Sequence, residues 1–128
     1  MLNIQAKTIP HEEQRYNTSG DYWTDKKGVE QFRISDLGDY RMELAVLVHE
    51  IVEDYLCKHR GIKEQDIMAF DLMFEKEREE GKWKDEEPGD DPRAIYHDPH
   101  QIATVIERIL ISYFGINWKD YDDKILSL

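Results

Sequence analysis

Arg41-Met42-Glu43-Leu44-Ala45-Val46-Leu47-Val48-His49-Glu50-Ile51-Val52-Glu53-Asp54-Tyr55-Leu56-Cys57-Lys58-His59 is the stretch on which the fold turns. At about 100° per residue its spacing predicts a helix. Leu44, Leu47, Val48, Ile51, Val52 and Tyr55 form the centre of an apolar arc, and Glu43, Glu50 and Asp54 share a narrow polar strip. His49 and Glu53 fall outside that strip, between Leu56 and Val46. A carboxylate among apolar neighbours has to be paired, protonated or bound to a cation. Side chains four residues apart on a helix have Cβ atoms roughly 5–6 Å apart, so one divalent ion can take a ligand from each. The same spacing also allows a simple His49–Glu53 hydrogen bond inside a core helix, and both readings stand at this point.

Elements on either side of this helix give the fold class. Leu2, Ile4 and Ala6 alternate with polar residues and predict a strand with one covered face. Asp21-Tyr22-Trp23 and Val29 to Ile34 flank Thr24-Asp25-Lys26-Lys27-Gly28, a turn-forming segment suited to a hairpin. His11 lies in a polar stretch without a partner at useful spacing and reads as a surface residue. After the motif helix, for which Asp39 or Ser35 is the cap, a second helix starts near Lys63 and buries Ile67, Phe70, Met73 and Phe74. A third, from Pro99 to Phe114, buries Ile102, Val105, Ile106, Ile109, Leu110 and Tyr113, with His100, Thr104 and Glu107 on another face. Asn117 caps a short last helix bearing Trp118, Tyr121 and Ile125. The expectation is one α+β domain over 1–128: a small N-terminal antiparallel sheet or hairpin, then three to four helices.

An ion held by His49 and Glu53 needs a further ligand. His59 lies ten residues after His49, and if the helix continues that far it is roughly 15 Å away and cannot share the ion. The better source is Tyr96-His97-Asp98-Pro99-His100-Gln101, where Asp98 as cap and Pro99 at the first helical position make a helix start. That puts His100 in the first turn and His97 just outside it. Glu107 follows two turns later, as a fourth ligand or a partner that orients His100. The third ligand is therefore one of His97, His100 and Glu107, with His100 the first choice.

His49-Glu50-Ile51-Val52-Glu53 resembles the His-Glu-x-x-His helix of the zincin metallohydrolases. There two His hold the metal and the Glu activates a water. Position by position, the resemblance implies His49 as the first ligand, Glu50 as the general base and Glu53 in place of the second His. A carboxylate ligand makes the site less selective, so the implied ion is zinc, with manganese, iron or magnesium as alternatives. The implied activity is peptidase-like hydrolysis of a peptide or other acyl carbon, on a zincin-like domain in which a strand hairpin precedes the helix. The whole chain resembles small phage-encoded proteins, which implies a bacterial cytoplasm as its setting. His97-Asp98 is similar to the pair of HD-type phosphohydrolases, but Pro99 makes Asp98 a helix cap. Glu50 to Asp54, with Asp71 and Glu75, is similar to the acidic pairs of all-α nucleotide pyrophosphatases, whose fold has no place for the strands.

Composition sets the remaining bounds. Seventeen Lys and Arg against 28 Asp and Glu give a net charge of −11, which repels nucleic-acid backbones and leaves room for a basic protein partner. The single Cys57 excludes an internal disulfide and reads as a buried structural thiol. No membrane span or signal peptide is evident, so the expected location is cytoplasmic. Much of the acid sits in Glu75 to Glu80, a solvated helix end, and in Asp85 to Pro92, read as a mobile loop. Against the hydrolase stands a non-enzymatic acidic protein that binds a host protein, with no metal or a purely structural one.

Overall fold

The computed structural model describes all 128 residues. Its longest element is the motif helix, α1, Tyr40–His59. Asp39 caps it from extended backbone by accepting from the Arg41 N–H at 3.0 Å, which satisfies a donor that the first turn leaves free. Glu43 reaches back to accept from Leu37 N–H at 2.8 Å. The buried positions of α1 are Ala45, Val46, His49, Glu53, Asp54 and Cys57, while Leu44 is exposed. The expected polar strip is therefore broken at Asp54, which is buried because Lys58 Nζ donates to it at 2.7 Å and also to Glu30 on the sheet.

Three strands come before the helix: β1 (Ile4–Ile9), β2 (Gly20–Thr24) and β3 (Glu30–Ser35). β2 and β3 form the expected hairpin, with Tyr22 opposite Phe32. Asp25 Oδ1 closes its turn by accepting from Lys27 N–H at 2.8 Å and Val29 N–H at 3.0 Å, and Gly28 supplies a φ of +81° that other residues resist. The sheet as a whole is mixed, which corrects the expectation of a purely antiparallel one. β1 runs parallel to β3 with Ala6 opposite Phe32, in the order β1-β3-β2. Phe32 and Ile34 make β3 the most buried strand, and it takes the centre. The segment from Pro10 to Ser19 passes the end of β3, where Ser35 Oγ donates to Thr18 O at 3.1 Å and lies 2.9 Å from His11 Nδ1. His11 also meets Asn17 Oδ1 at 2.9 Å, so it is a half-buried structural residue rather than a surface one. β1 is exposed along nearly all its length and lacks the expected covered face.

Helices α2 (Glu64–Glu79), α3 (His97–Tyr113) and α4 (Trp118–Leu126) complete the α+β fold. The main core joins Ile34, Leu37, Ala45, Val46, Ile111 and Tyr121, and a smaller one joins Cys57, Ile67, Ala94 and Tyr96. On α2, Ile67 and Phe74 are buried as expected, Phe70 is half-buried and Met73 is exposed. No helix is long and apolar enough to cross a membrane.

α3 departs most from its periodicity. It buries Pro99, His100, Ala103 and Ile111, and exposes Ile102, Val105, Ile109 and Tyr113. The side bearing His100 and Glu107 faces α1, because these polar groups find partners there and paired polar groups can be buried. The helix also starts at His97, so Asp98 is not its cap; the exposed Asp98 carboxylate accepts from Arg60 at 3.2 Å instead.

Phe32 is fully buried on the central strand. Phe32→Ala is expected to cost about 3–5 kcal/mol in urea unfolding; a loss under about 1 kcal/mol would contradict its place in the core.

Candidate metal centre

Helix α1 delivers His49 and Glu53 one turn apart, and α3 brings His100 across to meet them. His49 Nε2 lies 3.1 Å from Glu53 Oε2 and 3.3 Å from His100 Nδ1, and His100 Nδ1 lies 2.8 Å from the same Glu53 oxygen. The three residues are only 7, 6 and 5% exposed. They are the candidate metal ligands read from the sequence, and the structure brings them to one point.

Each of the three is held from behind. His49 Nδ1 is 2.7 Å from Glu107 Oε1, whose other oxygen accepts from Tyr121 Oη. Tyr22 Oη donates to Glu53 Oε1 at 2.9 Å. His100 Nε2 lies 3.2 Å from both Glu87 Oε2 and Asp90 Oδ1, without the alignment of a hydrogen bond. Histidine with its outer nitrogen on a carboxylate and its inner nitrogen on an ion is the usual arrangement of a metal ligand, the outer group fixing tautomer and ring angle.

Counting protons shows what the cluster requires. If Glu107 is ionised, His49 Nδ1 carries the proton and Nε2 presents a lone pair; a proton on His100 Nε2, facing Glu87 and Asp90, leaves Nδ1 likewise. With these tautomers three lone-pair donors converge, and positive charge at their centre stabilises the arrangement. Protons can supply it. Burial alone lowers the affinity of His49 for a proton, but Glu107 and Glu53 raise its pKa to about 10. His100 is likewise pushed down by burial and pulled up, to about 12, by Asp90, Glu53 and Glu87. Burial raises Glu53, yet His100 and His49 hold it near 2. This solution sets two imidazolium N–H groups 3.3 Å apart, pointing at one oxygen. A single divalent ion could take the place of both protons. A tetrahedral ion with ligands at about 2.0–2.1 Å separates its donor atoms by about 3.3 Å, close to the 2.8 to 3.3 Å found here.

Glu50, one step round α1, is half-buried and takes no part in the hydrogen bonds that tie the cluster together. Burial, followed by the charge of Glu53, raises its carboxyl well above the ordinary range. Its side chain lies against Gly20 at the start of β2, where a Cβ would come within 2.6 Å of Glu50 Cγ. A second glycine does the same for His100: a Cβ on Gly89 would stand 2.4 Å from the imidazole.

Of the other candidates, His97 is turned away, with Nδ1 3.0 Å from Gly89 O. His59 is exposed at the end of α1. Glu107 backs His49 rather than His100. Asp71 accepts from Tyr96 Oη, while Glu75 bonds Arg78 at 3.0 Å, so they do not form an acidic pair. The segment read as a mobile loop contains a 3-10 turn, Pro88–Asp90, that packs on His100 through the buried Gly89. Cys57 is buried and its thiol is pushed up to about 12, chiefly by burial. Tyr22, Tyr121, Glu87, Gly89 and Asp90 were not singled out from the sequence as parts of the centre. Glu87, Gly89 and Asp90 had a signal in the turn-forming Glu87-Pro88-Gly89-Asp90, which ends ten residues before His100, and Tyr22 and Tyr121 had none. Comparison with protein-family models, curated proteins and solved structures finds no match to this chain.

A histidine pKa raised by folding adds stability that is complete below the unfolded value of about 6.5 and disappears as pH rises through the folded value. In protein stripped of divalent ions, the stability difference between wild type and His49→Gln is therefore expected to shrink from pH 6.5 towards about 10. Denaturant midpoints measured in chelator test this, and a constant difference over that range would contradict the assigned pairing.

Proposed function

We propose that this chain is a metal-dependent hydrolase of zincin-like type, with His49, Glu53 and His100 holding one divalent ion and Glu50 as the general base. The observation that carries the reading is the convergence of three buried donor atoms, two of them on rings backed by carboxylates. The donor set, two nitrogens and one oxygen, suits zinc, with manganese or iron as alternatives. When bound, such an ion supplies Lewis acidity, which acidifies water and polarises a carbonyl oxygen.

The chain's own residues supply the rest. Glu107 and Tyr121 fix the His49 ring, and Tyr22 fixes one Glu53 oxygen so that the other faces the two imidazoles. Glu50 stands outside these hydrogen bonds. Burial and the charge of Glu53 raise its proton affinity, the direction in which a carboxylate becomes a stronger base. In this reading it takes the proton from the water that attacks a peptide or other acyl carbon, and passes it to the leaving group. The setting implied by the resemblance, a phage protein in a bacterial cytoplasm, belongs to the same proposal.

The exposed apolar stripe of α3 favours a second reading, an interaction protein whose ion is structural. Glu50→Gln separates the two. For the hydrolase, it is expected to keep the ion and lose about 10²–10⁴-fold in turnover of a peptide or ester library. Wild-type protein that holds its ion, shows no turnover and melts far lower in chelator would favour the structural role. Independently, Glu107→Gln is expected to weaken metal binding about 10–100-fold by calorimetry, and unchanged affinity would remove Glu107 from the centre.

A further inference from the structure

We propose that the outer face of α3 is the interface of a homodimer, two copies of this chain packing α3 against α3 about a twofold axis. Ile102, Val105, Ile109 and Tyr113 recur at helical spacing and are 47, 58, 62 and 89% exposed. The opposite side of the helix is committed to α1 through His100 and Glu107. α3 thus buries Pro99, Ala103 and Ile111 together with the polar His100 and leaves a second apolar stripe facing water. These four side chains together present on the order of 500 Å² of largely apolar surface. With their rim of Asp98, Gln101, Arg108 and Ser112, the face approaches the roughly 800 Å² per partner of a standard stable interface.

Charge selects the occupant. The chain carries a net charge of −11, yet this face holds one acid and one base, both already engaged. Asp98 pairs with Arg60 at 3.2 Å, and the Arg108 guanidinium lies 4.1 Å from the centre of the Trp118 ring. A basic or acidic partner finds little to pair with here, whereas a neutral apolar helix of the same length fits. A second α3 is such a helix, and two strongly acidic copies meet most easily where neither presents free carboxylates. The stripe is also self-complementary, as a twofold interface requires. In an antiparallel pair, Ile102 of each copy lies opposite Ile109 of the other, with Val105 next to the axis.

Sedimentation equilibrium on the full chain, from micromolar to submillimolar concentration at physiological salt, tests this. The expected result is a two-chain mass that falls to one chain in the Val105→Glu, Ile109→Glu double variant, with helix content unchanged by circular dichroism. Wild type at one-chain mass throughout overturns the proposal and assigns the stripe to a different partner. A dimer that survives the double substitution overturns it as well, by placing the interface elsewhere. Should the double variant unfold, Val105→Cys decides: next to the axis it forms an intermolecular disulfide on mild oxidation, for which buried Cys57 cannot substitute. A dimeric sample that fails to cross-link contradicts the geometry.

Discussion

Two imidazole nitrogens and a carboxylate oxygen, buried where α1 meets α3, stay at 2.8 to 3.3 Å from one another only with shared protons or a cation among them. Much of the surrounding structure follows from that constraint. Tyr22 on β2, Glu107 on α3 and Tyr121 on α4 each give a hydrogen bond to the cluster or to its immediate partners, so sheet and helices are tied at one point. The turn at Pro88–Asp90 folds onto His100, and Gly89 lets it come that close. Half-satisfied, such a network is costlier than an apolar core; complete, it specifies one arrangement of the elements.

The motif helix was the most legible part of the fold. Its helical spacing, the Asp39 cap and the place of His49 and Glu53 among buried neighbours follow from local sequence. The buried face, however, centres on Ala45, Val46 and Cys57, while the expected arc from Leu47 to Tyr55 is only half-buried and Leu44 is exposed. The β2–β3 hairpin was legible through the Asp25-to-Gly28 turn. The parallel partnership of β1 was not, because alternation identifies a strand and says nothing of its neighbour. α3 was misjudged for a related reason. Periodicity finds an apolar stripe and presumes it faces the core, but here polar pairing with His49 and Glu53 decides which side turns inward. Tyr22 and Tyr121 escaped notice because each acts over a sequence separation that no spacing rule covers, 31 residues to Glu53 and 14 to Glu107.

In the proposed hydrolase, the residue that would separate chemistry from mere support is Glu50. The three candidate ligands are nearly sealed and bonded to one another, with only His100 Nε2 lacking a hydrogen bond. Glu50 alone is half-buried, outside those hydrogen bonds and raised in proton affinity, set against Gly20 rather than locked into the network. A carboxylate with no structural duty beside three candidate ligands is what acid–base work on a water requires.

The central claim is that an ion supplies the positive charge. Elemental analysis of untagged wild-type protein beside His49→Ala and Glu53→Ala tests it most directly. The account predicts near-stoichiometric zinc or manganese in the wild type, lost in both variants. A wild type that carries no metal, and takes up none when incubated with divalent ions, would contradict it and leave the cluster as a network held by protons alone.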